Sequence, residues 1–165
     1  MHDSNIPPGW KDDPSRRGRR APVLILALAG CGIAVYLTLY QLDILASVFE
    51  PFFGSGSRRI LKDSGISHLL PIPDASLGAL AYLAEAASEL LGGAGRWRRS
   101  PWKALLTGLL SCGLLLAAVM LVVFQVAVYH AFCTMCLVSA LCSVAIFVLA
   151  LPELVATLQH VRNAK

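Results

Sequence analysis

The sequence Ala-Phe-Cys-Thr-Met-Cys-Leu at residues 131–137 puts two cysteines three positions apart, where a long apolar run begins. Two thiols at this spacing in the first turn of a helix can close a small disulfide ring. The partial positive charge of a helix N-terminus favours the thiolate over the thiol. The Cys133-x-x-Cys136 pattern therefore predicts redox chemistry at the head of an apolar helix.

The rest of the chain has the composition of a membrane protein. Of its 165 residues, 56% are hydrophobic and 15% are charged, and the mean hydropathy is +0.66. Apolar runs longer than the roughly 18 residues that cross a bilayer occupy residues 21–42, 104–129 and 132–151, and a shorter run lies at residues 75–92. These runs predict an all-α membrane protein, a four-helix transmembrane bundle with a long outer loop between helices 1 and 2.

Positive charge is distributed unevenly around these runs. Most of the 14 lysines and arginines lie before the first run, between the second and third, or after the fourth. Because cytoplasmic loops carry the excess of lysine and arginine, both termini are predicted to be cytoplasmic, and Cys133 and Cys136 to face outward. An outward dithiol fits a bacterial inner (plasma) membrane, at whose outer face disulfides persist. The basic residues give no nucleic-acid signal beyond this topology.

The same pattern sets the domain boundaries. Residues 1–20 are rich in Pro, Asp, Ser and Arg, and predict a disordered cytoplasmic tail. Residues 21–152 form the predicted four-helix transmembrane domain, and residues 153–165 a cytoplasmic C-terminal tail. The outer loop at about residues 46–73 is interpreted either as a lid over a site or as an interfacial anchor.

Polar residues inside the runs are candidates for function. Glu85 lies within the second run, and its role is open between proton transfer and structure. Glu89 is predicted to lie at the inner interface and to meet Arg96 or Arg98. Gln125, near the end of the third run, is predicted to point to the same outer mouth as the cysteine pair, with a helix–helix hydrogen bond as the alternative.

The outer loop and the turn before the cysteines carry further candidates. The loop phenylalanines are predicted to dip into the membrane interface, and three aliphatic residues to form one side of a short helix on the bundle. These residues are Phe49, Phe52 and Phe53, and Ile60, Leu61 and Ile66. His130 precedes Cys133 by three positions, and is interpreted either as a proton relay or as an interfacial histidine.

Two chemistries remain open for the thiol pair. Five cysteines, with no second Cys-x-x-Cys and no histidine pair at metal spacing, argue against a structural zinc site. Two thiolates can still carry a soft metal such as copper or mercury. A redox role has better support, because a thiol pair needs an electron acceptor, and in a membrane the available one is a lipid quinone. Two electrons and two protons then leave the dithiol and reduce the quinone to the quinol.

Three segments together resemble a known family. Residues 36–38 read Tyr-Leu-Thr, residues 72–82 contain Ile-Pro followed by Leu-Gly-Ala-Leu-Ala-Tyr, and residues 132–139 read Phe-Cys-Thr-Met-Cys-Leu-Val-Ser. Over about residues 22–150 the chain is similar to the vitamin K epoxide reductase family, in its bacterial branch. The resemblance implies a four-helix transmembrane bundle around a quinone pocket that the outer loop caps.

The resemblance also implies roles for individual residues. By it, Cys136 is the thiol that meets the quinone, and Cys133 exchanges with an incoming thiol or disulfide. Asp74 stands where the family has a polar group that hydrogen-bonds a quinone oxygen, Tyr82 matches a pocket residue, and Ser76 is a further hydroxyl at the pocket mouth. The implied cofactor is ubiquinone or menaquinone, and the implied thiol donor is a partner such as a thioredoxin-like periplasmic protein.

The outer loop departs from the family pattern. Family members carry two further cysteines there, which pass electrons between the partner and the active pair, whereas residues 50–57 here read Glu-Pro-Phe-Phe-Gly-Ser-Gly-Ser. Serine cannot replace this relay, because only a thiolate attacks a disulfide. Ala140 also stands where vertebrate members have a pocket tyrosine.

These observations together predict a quinone-linked thiol:disulfide oxidoreductase of the inner membrane, an enzyme in which electrons enter directly at Cys133. Two alternatives stay open. One is a membrane protein that binds or transports a soft metal through the two thiolates. The other is a divergent, non-catalytic member of the family.

Overall fold

The computed structural model describes residues 6–7, 9–54, 56–61, 73–91 and 93–163. Within these ranges the protein is helical and contains no strand. The helices are α1 (Arg17–Gln41), α2 (Gly56–Leu61), α3 (Asp74–Leu90), α4 (Arg96–Arg99), α5 (Pro101–Phe124), which continues into a π-helical turn (Gln125–Tyr129), and α6 (Thr134–Asn163). The predicted all-α class is confirmed.

Three helices are long and apolar enough to cross a membrane. They are α1, α5 together with its π-helical turn, and α6, with lengths of 25, 29 and 30 residues. The helix of the second apolar run, α3, has 17 residues and carries two carboxylates, Glu85 and Glu89. The structure thus confirms a helical membrane protein with three candidate spans, and α3 is shorter than the other long helices.

The four long helices contact one another through apolar side chains. α1 packs against α3 and α6, and α5 packs against α6 and α3. The core surrounds Tyr82 with small and aliphatic side chains: Val23, Ala27, Ala34, Ala86, Leu114 and Ile146. Large apolar side chains such as Leu109, Leu116 and Leu141 lie on the outside. An apolar outer surface suits contact with lipid, whose tails are as apolar as leucine.

α1 and α3 approach closely at Gly30. A Cβ built on this glycine would lie 2.5 Å from Cε1 of Tyr82. A larger residue at this position must therefore displace the Tyr82 ring or separate the two helices.

We expect Gly30→Ala to lower the free energy of unfolding by about 1–3 kcal/mol, the usual cost of adding atoms to a packed core. Gly32→Ala is the matched control, because nothing lies within 4 Å of a Cβ built on Gly32. Alanine is a better helix former than glycine, so the control should be neutral or stabilised by up to about 1 kcal/mol. Denaturant unfolding of both variants in detergent micelles measures the difference. Equal stability would contradict the close contact at Gly30.

The helices extend past both bounds of the predicted transmembrane domain, residues 21 and 152, which stay a prediction. α1 begins at Arg17, inside the segment predicted to be a tail, and Ser15 just before it is fully buried. α6 continues past Pro152, where the predicted domain ends. One hydrogen bond joins the two extensions. The Ser15 hydroxyl donates to the Glu153 carboxylate at 2.6 Å, so polar residues that signal an exposed end are paired inside the protein.

The described part of the connection between α1 and α3 packs on the long helices. Ile60 and Leu61 lie on α2 and are buried, as expected for one side of a short helix. Ile66, the third residue of that predicted side, lies outside the described residues. Phe49 and Phe52 are largely exposed, as residues at a membrane interface can be.

Candidate active site

Cys133 and Cys136 lie at the head of α6. Cys133 directly precedes the first helical residue, and Cys136 lies in the first turn. The two cysteines are not joined in a disulfide, and the exposed fractions of Cys133 and Cys136 are 0% and 2%. The backbone N–H of Cys136 donates to Sγ of Cys133 at 3.2 Å, in the manner of an N-cap contact. The Cys133 sulfur therefore lies where the helix favours an anion.

The segment between α1 and α3, including α2, covers the cysteine pair. α2 packs in one apolar cluster with both cysteines. A Cβ on Gly56 would overlap the carbonyl oxygen of Phe132, so α2 touches the backbone just before Cys133. The rings of Phe53 and Phe132 lie with their centroids 5.2 Å apart. This cover closes Cys133 off from solvent.

Glu50 ties the cover to α6. Its carboxylate accepts a hydrogen bond from the Thr134 backbone N–H at 3.0 Å and another from the Thr134 hydroxyl. A carboxylate is favourable at a helix N-terminus, where backbone N–H groups have no partner in the helix. Sequence reasoning missed Glu50, because 84 positions separate it from Thr134 and a loop glutamate gives no local signal of this contact.

Asp74 begins α3 near the pair. Gln41, at the end of α1, donates its side-chain NH₂ to the Asp74 carboxylate and accepts from the Ala75 backbone N–H at 3.2 Å. The carboxylates of Asp74 and Glu50 lie close enough to Cys136 for their charges to act on its thiol. The structure thus places Asp74 and Cys136 in one neighbourhood.

Tyr82 lies deeper in the bundle, where it joins α3 to α6. Its hydroxyl donates to the Ser139 carbonyl oxygen at 2.6 Å and is 2.7 Å from the Ser143 hydroxyl. Ser139 is one helical turn past the cysteine pair, so Tyr82 lies just below it. Ser76 has a local role, because its hydroxyl donates to the Pro73 carbonyl oxygen at 2.6 Å.

Gln125 is buried beside the pair, at the start of the π-helical turn. Its side-chain oxygen accepts the Cys133 backbone N–H at 3.1 Å, so Gln125 lies in contact with the pair, as its predicted direction requires. Tyr129 packs against the cluster that contains both cysteines. His130, on the same connection, has a positive φ of 46° and an exposed side chain.

A second polar cluster, which we call the charge network, consists of Arg20, Glu89, Arg96 and Glu153. The Arg96 guanidinium is buried, bonds both Glu153 oxygens at 2.7 Å and lies 3.5 Å from Glu89. Glu89 also accepts from Arg20 at 3.0 Å. Burial alone lowers the pKa of Arg96, but the hydrogen bonds and charges of the two glutamates outweigh burial and raise the pKa. Of the two predicted partners of Glu89, the structure shows Arg96.

Glu85 belongs to neither cluster. It is fully buried, and the Ser111 hydroxyl donates to its Oε1 at 2.6 Å. Its Oε2 has no hydrogen-bond partner among the described residues.

No group of three or more His, Cys, Asp or Glu side chains that could hold a metal ion occurs among the residues described. A soft metal at the cysteine pair would therefore find two thiolates and no third such ligand in this part of the chain.

The fold and the site define a class of protein. It is a helical membrane protein with a buried dithiol at the head of its last helix, beside polar side chains from α1, α3 and the π-helical turn. The model of the vitamin K epoxide reductase family matches residues 21–151, and the chain belongs to this family. The match confirms the resemblance at the level of the family. Members of the family are, in general, quinone-coupled thiol oxidoreductases. No curated protein matches the chain.

Proposed function

We propose that the protein is a quinone-linked thiol:disulfide oxidoreductase of a bacterial inner membrane. It oxidises the thiols of a donor through Cys133 and Cys136 and reduces ubiquinone or menaquinone. One observation supports this most strongly: a chain of this family has a buried dithiol in which the Cys133 sulfur accepts a backbone N–H of the helix.

In this proposal α3 is a fourth membrane crossing. Its 17 residues rise about 26 Å at 1.5 Å per residue, close to the roughly 30 Å of a bilayer core. Its buried glutamates accept hydrogen bonds from Ser111, Arg20 and Arg96, so they cost less in a membrane than unpaired carboxylates. The four crossings form a bundle with both termini in the cytoplasm, and the cysteine pair lies at the outer face.

The residues around Cys136 fit a quinone. In this proposal the quinone ring hydrogen-bonds Asp74, which begins α3 next to Ala75, a residue packed against the cluster that contains Cys136. Tyr82 closes the inner side of the pocket. The hydroxyl proton of Ser76 is held by Pro73, so Ser76 contributes at the mouth only as an acceptor. A bound quinone supplies an acceptor for two electrons and two protons.

Cys133 receives electrons and Cys136 passes them on. A donor thiolate attacks the Cys133 sulfur of the oxidised pair, the bond between the two cysteines breaks, and Cys136 leaves as a thiolate. A second donor thiolate attacks the donor sulfur of this mixed disulfide, which releases an oxidised donor and the Cys133 thiolate. When the bond between Cys133 and Cys136 forms again, the two electrons pass to the quinone.

The donor must reach Cys133 directly. All five cysteines of the chain lie outside the outer loop, so no thiol there can carry electrons inward. Because Cys133 is fully buried, the contacts of Glu50 with Thr134 and of Phe53 with Phe132 must open during exchange. The proposed donor is a thioredoxin-like periplasmic protein, which would displace this cover and present an exposed thiol.

The test is an assay with purified protein in detergent micelles. Dithiothreitol serves as the probe donor, ubiquinone and menaquinone analogues with short tails are supplied separately, and quinone absorbance is followed. We expect the protein to consume at least one of the quinones, with one dithiothreitol oxidised per quinone reduced. Rates equal to the protein-free mixture for both quinones, with folded protein, would refute the proposed function.

A further inference from the structure

Exposed arginines gather at the end of the long helices that lies away from the cysteine pair. They are Arg16, Arg17 and Arg19 at the start of α1, and Arg98 and Arg99 on α4. Glu153, which bonds Arg96 of α4, lies 17 positions past Cys136, about 26 Å along α6 at 1.5 Å per residue. This distance is close to the roughly 30 Å of a bilayer core, so the arginines and the cysteine pair belong to opposite membrane faces.

One hydrogen bond and one shared carboxylate bring the start of α1 against α4. The Trp97 backbone N–H donates to the Ser15 hydroxyl at 3.2 Å. Glu89 is shared between Arg20 of α1 at 3.0 Å and Arg96 of α4 at 3.5 Å. The exposed arginines of the two helices therefore form one surface, although they are far apart in sequence. We call it the basic surface, and its members are Arg16, Arg17, Arg19, Arg98 and Arg99.

The basic surface keeps a positive charge toward its surroundings. The two glutamates of the charge network are buried and bonded to the two buried arginines of that network, so their charges are balanced inside the protein. Asp12 is exposed and lies 3.9 Å from Arg16, an ion pair of the weak surface kind. Asp12 and its neighbour Asp13 together offset at most two of the five arginine charges.

The arginines at the start of α1 are unfavourable for the helix itself. Its first turn reads Arg-Gly-Arg-Arg at residues 17–20 and contains no acidic residue. A helix N-terminus carries a partial positive charge, so cations there destabilise the helix in water. An anion outside the protein removes this cost, and lipid phosphates are the anions that a membrane face supplies.

An exposed tryptophan marks the level of the basic surface in the membrane. Trp102 is 60% exposed and lies in the first turn of α5, three positions after Arg99. The Lys103 ammonium is 5.5 Å from the centre of the Trp102 ring. Tryptophan is enriched at the level of the lipid headgroups, where an apolar ring meets water. The basic surface therefore lies at headgroup height.

We propose that the basic surface binds the headgroups of anionic phospholipids. Its arginines contact the lipid phosphates, while Trp102 lies among the headgroups and the upper acyl chains. Clusters of four or more basic residues beside a membrane-spanning helix attract anionic lipid, with roughly a fivefold gain in affinity per arginine. Bound lipid joins α1 to α4 from the outside, as the charge network does from the inside.

The test uses Trp102 as the reporter, with the full chain in bilayers. The protein is reconstituted into phosphatidylcholine vesicles that contain a rising fraction of brominated phosphatidylglycerol or, as the reference, of brominated phosphatidylcholine. Bromine quenches tryptophan fluorescence only at short range, so the two quenching curves together measure the enrichment of anionic lipid beside Trp102. The chain has three tryptophans, so the Trp102 signal is taken as the difference from the Trp102→Phe protein.

Three variants separate a charge effect from other effects. Arg17→Gln/Arg19→Gln/Arg99→Gln removes three charges from exposed side chains. The matching triple change to lysine keeps these charges. Arg58→Gln is the control, because Arg58 is an exposed arginine on α2, which packs near the cysteine pair at the other end of the helices. Circular dichroism checks that each variant keeps its helices.

We expect the unaltered protein to prefer phosphatidylglycerol, and the triple glutamine variant to lose at least about tenfold of that preference. The triple lysine variant and Arg58→Gln should keep most of it. Sodium chloride at about 0.5 M should weaken the preference of the unaltered protein, because salt screens exposed charges.

Equal quenching by the two brominated lipids in the unaltered protein would overturn the proposal. So would a loss of preference in the triple glutamine variant no larger than that in Arg58→Gln. The first of these outcomes needs no substitution in the basic surface, so it does not depend on how a variant folds. The vesicles contain neither quinone nor thiol donor, so the result is independent of the proposed oxidoreductase activity.

Discussion

Cys133→Ser and Cys136→Ser each reduce thiol-dependent quinone reduction to the rate of the protein-free mixture. Serine is close to cysteine in size, but its hydroxyl cannot attack or form a disulfide under these conditions. Without Cys133 the pair has no sulfur with which the donor can form a mixed disulfide. Without Cys136 no bond can close in the protein, so electrons stop at a mixed disulfide on Cys133. The quinone absorbance assay measures both losses directly.

The matched controls for this prediction are Cys112→Ser and Cys142→Ser. Both residues are partly buried cysteines, Cys112 on α5 and Cys142 on α6. Cys142 lies six positions past Cys136, about 120° away around the helix, so it belongs to a different face. We expect both controls to keep turnover within about twofold of the unaltered protein, a difference below roughly 0.5 kcal/mol. Unchanged turnover in both Cys133→Ser and Cys136→Ser would refute the assignment of the active pair.

Arg96→Gln should be among the most destabilising single substitutions in the chain. It removes the guanidinium that bonds both oxygens of Glu153 and faces Glu89, and so leaves two buried carboxylates poorly compensated. Breaking a buried ion pair by removing one partner costs about 3–5 kcal/mol. Denaturant unfolding in micelles, or the fraction of folded protein after mild heating, measures this loss.

Arg99→Gln is the matched control for the charge network. Arg99 lies on the same short helix but is exposed, and surface substitutions usually change stability by less than about 0.5 kcal/mol. A double variant, Arg96→Met with Glu153→Leu, should lose less free energy of unfolding than Arg96→Gln. Both buried charges of the Arg96–Glu153 pair are then removed together, and Glu89 keeps its bond to Arg20. If Arg96→Gln lowered the free energy of unfolding by no more than Arg99→Gln, the charge network would not stabilise the fold.

The sequence contained enough information for the helical class and the family. Long apolar runs can only be helices in a membrane protein, because helices satisfy their own backbone hydrogen bonds. The position of Cys133 and Cys136 at the start of the last run also followed from the pattern. Asp74 and Tyr82 came from the family resemblance, and the structure places Asp74 near Cys136 and Tyr82 one turn below.

Contacts between distant parts of the chain could not be predicted in the same way. Nothing local in the sequence indicates that Glu50 bonds Thr134, or that Ser15 bonds Glu153 across 138 positions. The π-helical turn was also missed, because it depends on which carbonyl each N–H selects and has no sequence signature of its own. The last apolar run was given an end at residue 151, yet α6 continues to Asn163, and Glu153 beyond the run is bonded to Arg96.

The account depends on the transfer of two electrons from one pair of sulfurs to a quinone. The direct measurement is a single turnover. Reduced protein, freed of external thiol, is mixed with one equivalent of quinone, and the quinol and the protein disulfides are quantified together. We predict one quinol for each new disulfide, with that disulfide mapped by mass spectrometry to Cys133 and Cys136. A pair that stays reduced in the presence of either ubiquinone or menaquinone, or a disulfide that forms at other cysteines, would contradict the account.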